Sequence, residues 1–271
     1  MCDNVERRIM KHVIITGSTR GIGLAMAKEF LTRGHRVTIS GRHTDLPQQT
    51  ENHLSDYRGS YTYFPCDVKN KASIEELWNF SVHQWGIVDI WINNAGVNSP
   101  HDAVYNIEKK FTDNVINTNI LGMIYGSQVA AKGMLSQGSG AIYNMEGLGS
   151  NNMIQRNTVL YGTTKCALTY FTRGLAKELK GTPVIAGRLS PGMMLTDFIT
   201  KTPDGRKAAI EDDSSFQKVF NVLADKPETV APFLVEKMLN NTRNDAQFVW
   251  LTNSKAGIRF ISSIFKPRKI I

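Results

Sequence analysis

Tyr161 and Lys165 stand four residues apart in the stretch YGTTK. On a helix that spacing puts both side chains on one face. A phenol of pKa ~10 is a poor acid–base group at neutral pH, and an adjacent ammonium favours the phenolate and so lowers that value. The pair therefore suits proton transfer to or from an oxygen bound beside it. A lone Tyr-x-x-x-Lys is commonplace on helices, so its weight rests on what surrounds it.

A second set of residues points to a ligand. TGSTRGIG, Thr16 to Gly23, falls between a β-branched run and an amphipathic one. Gly17 permits a tight turn, Gly21 lets the backbone approach a phosphate, and Gly23 lets helix and strand pack closely. The unpaired N–H groups of the helix start then face a pyrophosphate. Ser18, Thr19, Arg20 and Ile22 complete this candidate dinucleotide loop. The second strand ends in Ser40, Gly41 and Arg42, without the acid that would bond a ribose 2′-hydroxyl. Arg20, Arg42 and the Ser40 hydroxyl instead suit a 2′-phosphate, which Arg grips with two bonds. This points to NADPH/NADP, against the alternative that both guanidiniums are simply solvated.

The elements that must position these residues alternate. Short apolar runs occur at KHVIIT, RVTIS, YTYFPCDV, VDIWINNAG, GAIYNM, PVIAGRLSPG and QFVWLT. Helical patterns separate them. One carries Ile22, Met26 and Phe30 and stops at Gly34; another carries Ile74, Leu77 and Val82; a long one runs from Ile107 to Met134; a fourth holds Tyr161; a fifth is PETVAPFLVEKMLN. Apolar strands alternating with helices predict an α/β fold, a doubly wound parallel sheet of Rossmann type flanked by helices, as one domain over 1–271. Such sheets bind ligands beyond the carboxyl ends of their strands. Residues 196–227 mix a polar middle with apolar flanks, as a closing lid over a substrate would.

Taken in order, TGSTRGIG, Asp67–Val68, NNAG at Asn93–Gly96, NTNILG around Asn119, YGTTK and SPGMMLTD resemble the short-chain dehydrogenase/reductase family over nearly the whole chain. The resemblance implies that Asp67 and Val68 hold the adenine. It implies that Asn94, Ala95 and Gly96 shape the wall near the cofactor, and that Pro191, Gly192 and Thr196 meet the nicotinamide end. Lys165 would hold the nicotinamide ribose, Tyr161 would give its proton to a carbonyl oxygen as hydride arrives, and Asn119 would hold a proton-passing water. Subunit pairing through the Ile107–Met134 stretch and the Tyr161 helix, as a homodimer or homotetramer, follows from the same resemblance.

One position departs from the pattern. Aligned on Asn144, the family's carbonyl-orienting serine falls on Gly147. NMEGLGS resembles the chlorophyll b reductase branch, which makes Ser150 the natural replacement, with Gly147 and Gly149 supplying the backbone freedom to swing it inward. The alternative is that Ser150 only caps a loop. Glu146 fits a role toward substrate or ribose as well as it fits solvent. The expected activity is NADPH-dependent reduction of an aldehyde or ketone on a bulky apolar molecule, a tetrapyrrole by the branch resemblance or a ketoacyl or steroid-type carbonyl. A protein that binds NADPH without turnover is the competing class.

With 41 % hydrophobic and 21 % charged residues among 271, the chain can bury an ordinary core. Three dispersed cysteines argue against a disulfide scaffold and suit a reducing cytosol. The first ten residues read neither as a signal nor as a transit peptide. The six histidines show no ligand spacing, so no metal is expected, and Cys166 reads as a small buried residue. Of the net charge of +8, Lys255, Arg259, Lys266, Arg268 and Lys269 supply +5, which makes the charge a property of the tail and not of a nucleic-acid face. On a helix the apolar residues from Ile258 to Phe265 share one side and Lys255, Arg259 and Lys266 the other. The tail at 254–271 thus fits either peripheral contact with an anionic membrane or packing on its own domain or a partner subunit with its cations solvated.

Overall fold

The computed structural model describes residues 10–206, 208, 210 and 214–271; the reading of the extreme N-terminus, Cys2 included, and the middle of the 196–227 segment lie outside the described residues. Seven strands form one sheet: β1 His12–Ile15, β2 Arg36–Gly41, β3 Tyr61–Pro65, β4 Ile90–Asn93, β5 Gly140–Met145, β6 Val184–Ser190 and β7 Ala246–Val249. Their order is β3-β2-β1-β4-β5-β6-β7, and every pairing is parallel. The helices are α1 Gly21–Thr32, α2 Gln48–His53, α3 Lys71–Trp85, α4 Lys109–Ile116, α5 Gly122–Gln137, α6 Val159–Glu178, α7 Asp197–Thr200, α8 Ser214–Leu223, α9 Pro227–Leu239 and α10 Asn253–Phe265. The doubly wound α/β fold expected from the alternating pattern is the observed one.

The two-residue period of a strand sorts the core into two layers. Val13 and Ile15 pack with Met26 and Phe30 of α1 and with Val230 and Leu234 of α9. Ile14 and Trp91 face the other way, toward Leu77 of α3 and Ala130 and Met134 of α5. Full burial of each such side chain contributes roughly 1.5–3 kcal/mol, so both faces of β1 are fixed strongly. Val82 departs from the expected stripe and stands 36 % exposed.

The chain leaves β1 toward β2 on one side and β4 toward β5 on the other, so the sheet's direction of growth reverses between β1 and β4. A crevice opens at that point, beyond the strands' carboxyl ends. The long helix expected from Ile107 to Met134 is interrupted. A π-helical turn over Asn117–Leu121 separates α4 from α5, a wide turn of the kind found at functional sites. α5 approaches the sheet closely through its glycines; a Cβ on Gly126 would lie 2.1 Å from the Asn93 side chain.

The tail packs in an unexpected sense. α10 turns its cationic side inward: Arg259 donates to Leu223 O at 2.8 Å and pairs with Asp225, and Lys255 lies 3.0 Å from the centroid of the Trp250 ring. Beyond the helix, Arg268 pairs with the same Asp225 at 2.8 Å and donates to Val222 O and Ala224 O. Ile258, Phe260, Ile261, Ile264 and Phe265 face outward, exposed. Solvated cations opposite a packed apolar face, the second expectation for the tail, is thus reversed for Arg259 and Arg268.

Candidate active site

A cleft of about 1520 Å³ runs along the carboxyl ends of the strands. Its first wall is the glycine loop between β1 and α1. Gly17 and Gly21 adopt φ of +62° and +58°, left-handed values that favour glycine. A Cβ on Gly17 would lie 2.8 Å from Ala95 Cα, and one on Gly23 2.5 Å from Asn94 Nδ2. Asn94 fastens this loop to the end of β4: its Nδ2 donates to Thr16 O and Gly17 O, each at 2.9 Å. The Asn94 and Ala95 amides both donate to Thr16 Oγ1, at 3.0 and 3.1 Å. Sequence reading missed Thr16 as this knot; a hydroxyl ending a strand just before the glycines was the available signal.

Thr19, Arg20, Gly21, Ile22 and Arg42 line the cleft with Asp67, Val68 and Gly96. Arg42 is exposed and, among the described residues, carries no ion pair. Arg20 reaches across the mouth to Asp197 at 3.2 Å. Ser18 and Ser40 are corrections to the expected cofactor contacts. Both are buried. Ser18 Oγ donates to Ile15 O at 2.6 Å and accepts from the Ser40 amide, while Ser40 Oγ turns back to Ile15 O at 3.4 Å. Their hydroxyls lace β1 to β2 and do not face the cleft. Pro191, Gly192 and Thr196 line the opposite wall after β6.

Tyr161 and Lys165 occupy the first turns of α6 and both line the cleft. Lys165 is 7 % exposed and its Nζ donates to Met145 O at 2.8 Å. Phe198 of α7 packs edge-on to the Tyr161 ring at 5.3 Å. Gly147 lies directly against the phenol, where an added Cβ would sit 2.5 Å from Tyr161 Oη. A side chain at this position would meet the phenol unless the phenol moved.

Ser150 also lines the cleft. Its hydroxyl donates to Lys165 O at 3.3 Å and accepts from the Gly147 amide at 3.2 Å, so it ties the loop after β5 to α6. Gly149, at φ +102°, rests on α6 so closely that a Cβ would meet Gly162 O at 2.4 Å. Asn119 is 2 % exposed in the π-helical turn. Its amide is fully engaged: Nδ2 donates to Val97 O at 2.9 Å and Thr164 Oγ1 at 3.2 Å, and Oδ1 accepts from the Val97 amide at 2.8 Å. Thr164 in turn donates to Tyr161 O at 2.7 Å, linking the π turn to α6 behind the phenol.

Electrostatics correct one expectation. Desolvation raises the Tyr161 phenol above its ordinary value, and Lys165 does not reverse this. Burial also lowers Lys165, to about 8, against a raising influence from Glu146. At neutral pH the phenol is thus protonated, a donor toward an oxygen bound beside it. Cys166 is a second correction: it is exposed, with Sγ donating to Asn152 Oδ1 at 3.6 Å.

The parallel sheet, the glycine loop at its switch point and the tyrosine–lysine helix beside it define a Rossmann-type oxidoreductase. The chain matches the short chain dehydrogenase family over residues 11–207 and belongs to that family. It is 33 % identical, over 84 % of its length, to the probable chlorophyll(ide) b reductase NYC1, chloroplastic, of Oryza sativa subsp. japonica, of which it covers 47 %. It is 30 % identical, over 93 % of its length, to the chlorophyll(ide) b reductase NOL, chloroplastic, of Arabidopsis thaliana, of which it covers 73 %. The chain thus spans about half the length of the first of these relatives. Among solved structures it resembles the closed form of serine dehydrogenase complexed with NADP+ (25 % identity, TM-score 0.73, covering 88 % of this chain and 94 % of that one). It also resembles ElxO with NADP bound (24 %, 0.78, 92 % and 100 %).

Proposed function

We propose that the protein reduces an aldehyde or ketone on a bulky apolar molecule, with NADPH as reductant and Tyr161 as proton donor. The carrying observation is the Tyr161 phenol set between Gly147 and Phe198, four residues from the buried Lys165, in the cleft of the glycine loop. The residues present fit a phosphorylated dinucleotide. Gly17, Gly21 and Gly23 leave the room that side chains would fill, the α1 N-terminus faces the loop, and Arg42 stands available for a 2′-phosphate. Asp67 and Val68 are assigned to the adenine side, and Gly96, Pro191, Gly192 and Thr196 to the nicotinamide side.

When bound, NADPH supplies the hydride. Tyr161 Oη gives its proton to the substrate oxygen, and Lys165 stabilises the phenolate that remains. Ser150, expected to orient the carbonyl, spends its hydroxyl on the Gly147 amide and Lys165 O and so keeps the Gly147 loop seated on α6. Asn119, expected to hold a water, is engaged with Val97 and Thr164 and holds the loop after β4 in register with Tyr161. Leu148, Met153, Met193, Leu195, Ile199 and Phe216 supply apolar lining for the substrate. The chlorophyll(ide) b reductase relatives make a tetrapyrrole aldehyde the first carbonyl to try. The two described cysteines are free, in keeping with the cytosol or another reducing compartment.

The test follows NADPH oxidation against a panel of aldehydes and ketones that includes a tetrapyrrole aldehyde. Replacing Tyr161 by Phe should lower kcat about 100-fold or more; equal background rates in parent and Tyr161→Phe would leave a protein that binds NADPH without turnover.

The outward apolar face of α10 supports a further part of this reading, docking on an anionic lipid surface. No described helix is long and apolar enough to cross a membrane, but residues 255–271 contain no acid, and the exposed Lys266 and Lys269 follow directly on the helix that carries the apolar face. Co-sedimentation with anionic vesicles measures it.

A further inference from the structure

Lys165 is an ammonium almost wholly removed from water, and among the described residues its Nζ has one acceptor, the carbonyl of Met145. A charge so placed needs a counter-charge or it surrenders its proton. The next residue, Glu146, is also buried, at 3 % exposure, and its carboxylate is built in from three elements. Oε1 accepts from Thr169 Oγ1 of α6 at 3.2 Å and lies 3.7 Å from Arg188 Nη1 of β6, and Oε2 accepts from Gln247 Nε2 of β7 at 2.7 Å. Arg188 is shared, with a closer bond of 3.0 Å to Asp245 in the turn before β7. Its Nε is buried without a partner among the described residues.

Arg188 is thus spent more on Asp245 than on Glu146. Lys165 and Arg188 balance Glu146 and Asp245, and each base has a carboxylate to answer it. Among the described residues the other titratable group facing Lys165 is Tyr161 on the same helix, its ring centroid 5.7 Å from Nζ.

We propose that Glu146 is a positioning residue: its buried carboxylate keeps Lys165 in the charged form that holds the cofactor, acting through the electric field and not by contact. This rests on the cofactor-holding role given to Lys165 above. Thr169, one turn after Lys165 on α6, and Gln247 fix the carboxylate next to the Met145 carbonyl that holds Nζ. The closer Asp245 shares Arg188, so that this guanidinium neutralises Glu146 only in part.

The sign follows from the geometry. A lysine is charged below its pKa, so cofactor affinity that depends on the ammonium is lost as pH rises through that value. In the parent this loss is centred at about 8. Without the Glu146 charge, burial acts unopposed and the loss moves to lower pH.

The experiment measures NADPH binding to the full chain by the fluorescence of the reduced nicotinamide, between pH 6 and 10, for the parent, Glu146→Gln, Asp245→Asn and Lys165→Met. Glu146→Gln keeps an oxygen to accept from Gln247 and turns its amide NH2 to the Thr169 hydroxyl, which can accept, but carries no charge. Its midpoint should fall by a unit or more, so that NADPH binds about fivefold more weakly at pH 8 and nearly normally at pH 6. Asp245→Asn, at a partly exposed site of φ +56° that Asn adopts readily, should shift the midpoint the same way by less. Lys165→Met should abolish the pH-dependent limb.

Equal weakening at every pH in Glu146→Gln, or an unmoved midpoint in that variant and in Asp245→Asn, overturns the proposal. If Glu146→Gln does not fold, the shift in Asp245→Asn decides alone. Binding is read without turnover, so a protein that reduces no carbonyl would sink the proposed activity and leave this measurement standing.

Discussion

Gly147 and Tyr161 Oη compete for one small volume, and the phenol holds it. Contacts under 3.0 Å between a Cβ and a neighbouring heavy atom force something to shift, and here the neighbour is the proton donor. Installing the serine expected at this position, as Gly147→Ser, should therefore push the hydroxyl aside and lower kcat. A displacement near 1 Å is worth about 100-fold. Steady-state NADPH oxidation with the best carbonyl found is the measurement, and a Gly147→Ser enzyme faster than the parent refutes the steric account. The tyrosine, the lysine and the glycine loop were all legible from residue type and spacing, because each motif carries its geometry within eight residues. The direction of single hydroxyls was not. Ser18 and Ser40 point into the β1–β2 seam because the Ile15 carbonyl is there to accept from both, a partner that no local pattern announces. The phenol's shift was misread for a similar reason: proximity of a cation is visible in sequence, and the depth of burial that outweighs it is not.

The elements follow the same division. Apolar runs and helical stripes located all seven strands and the principal helices, since β-branched alternation and 3.6-residue periodicity are local signals. The π-helical turn escaped; its Asn119 bonds to Val97 and Thr164, residues 22 and 45 positions away, partners that no local pattern announces. The helical wheel of α10 sorted its residues correctly into an apolar and a cationic side. It could not say which side packs, because Asp225, the acid that draws Arg259 and Arg268 inward, lies outside the tail. An apolar face turned to solvent and followed in the chain by the exposed Lys266 and Lys269 should partition onto vesicles rich in phosphatidylserine, and more weakly at high salt. Ile261→Glu, at a site 64 % exposed, should cut that partition about tenfold while changing stability by less than about 0.5 kcal/mol. Unchanged vesicle binding in Ile261→Glu would assign the face to something other than lipid. Asp225→Asn serves as the contrast, since stranding two guanidiniums should destabilise the fold by about 3 kcal/mol or more.

For the molecule as a whole, the centre of the sheet sets how it answers acid. His12 in β1 is 4 % exposed, with Nε2 against Thr38 Oγ1 of β2 at 2.9 Å and Nδ1 against Ile87 O at 3.0 Å. Burial brings its pKa down from 6.5 to about 4; the Ile87 carbonyl and Asp89 oppose that shift without cancelling it. The unfolded chain therefore binds a proton between those two values that the native sheet refuses. Stability rises with pH across this window and is lost as pH falls from about 6.5 toward 4, by about 3 kcal/mol if the full difference is expressed. Asp225 acts later: buried between two arginines, its carboxyl is held below the usual 3.8, so its contribution persists until the pH drops beneath that value. The first acid loss thus belongs to the histidine. Urea unfolding at pH 7, 6, 5 and 4 should show the midpoint falling through this range in the parent. In His12→Gln, which keeps a donor and an acceptor but cannot titrate, the curve should start lower and run flatter. Parallel curves would place the acid sensitivity elsewhere in the fold.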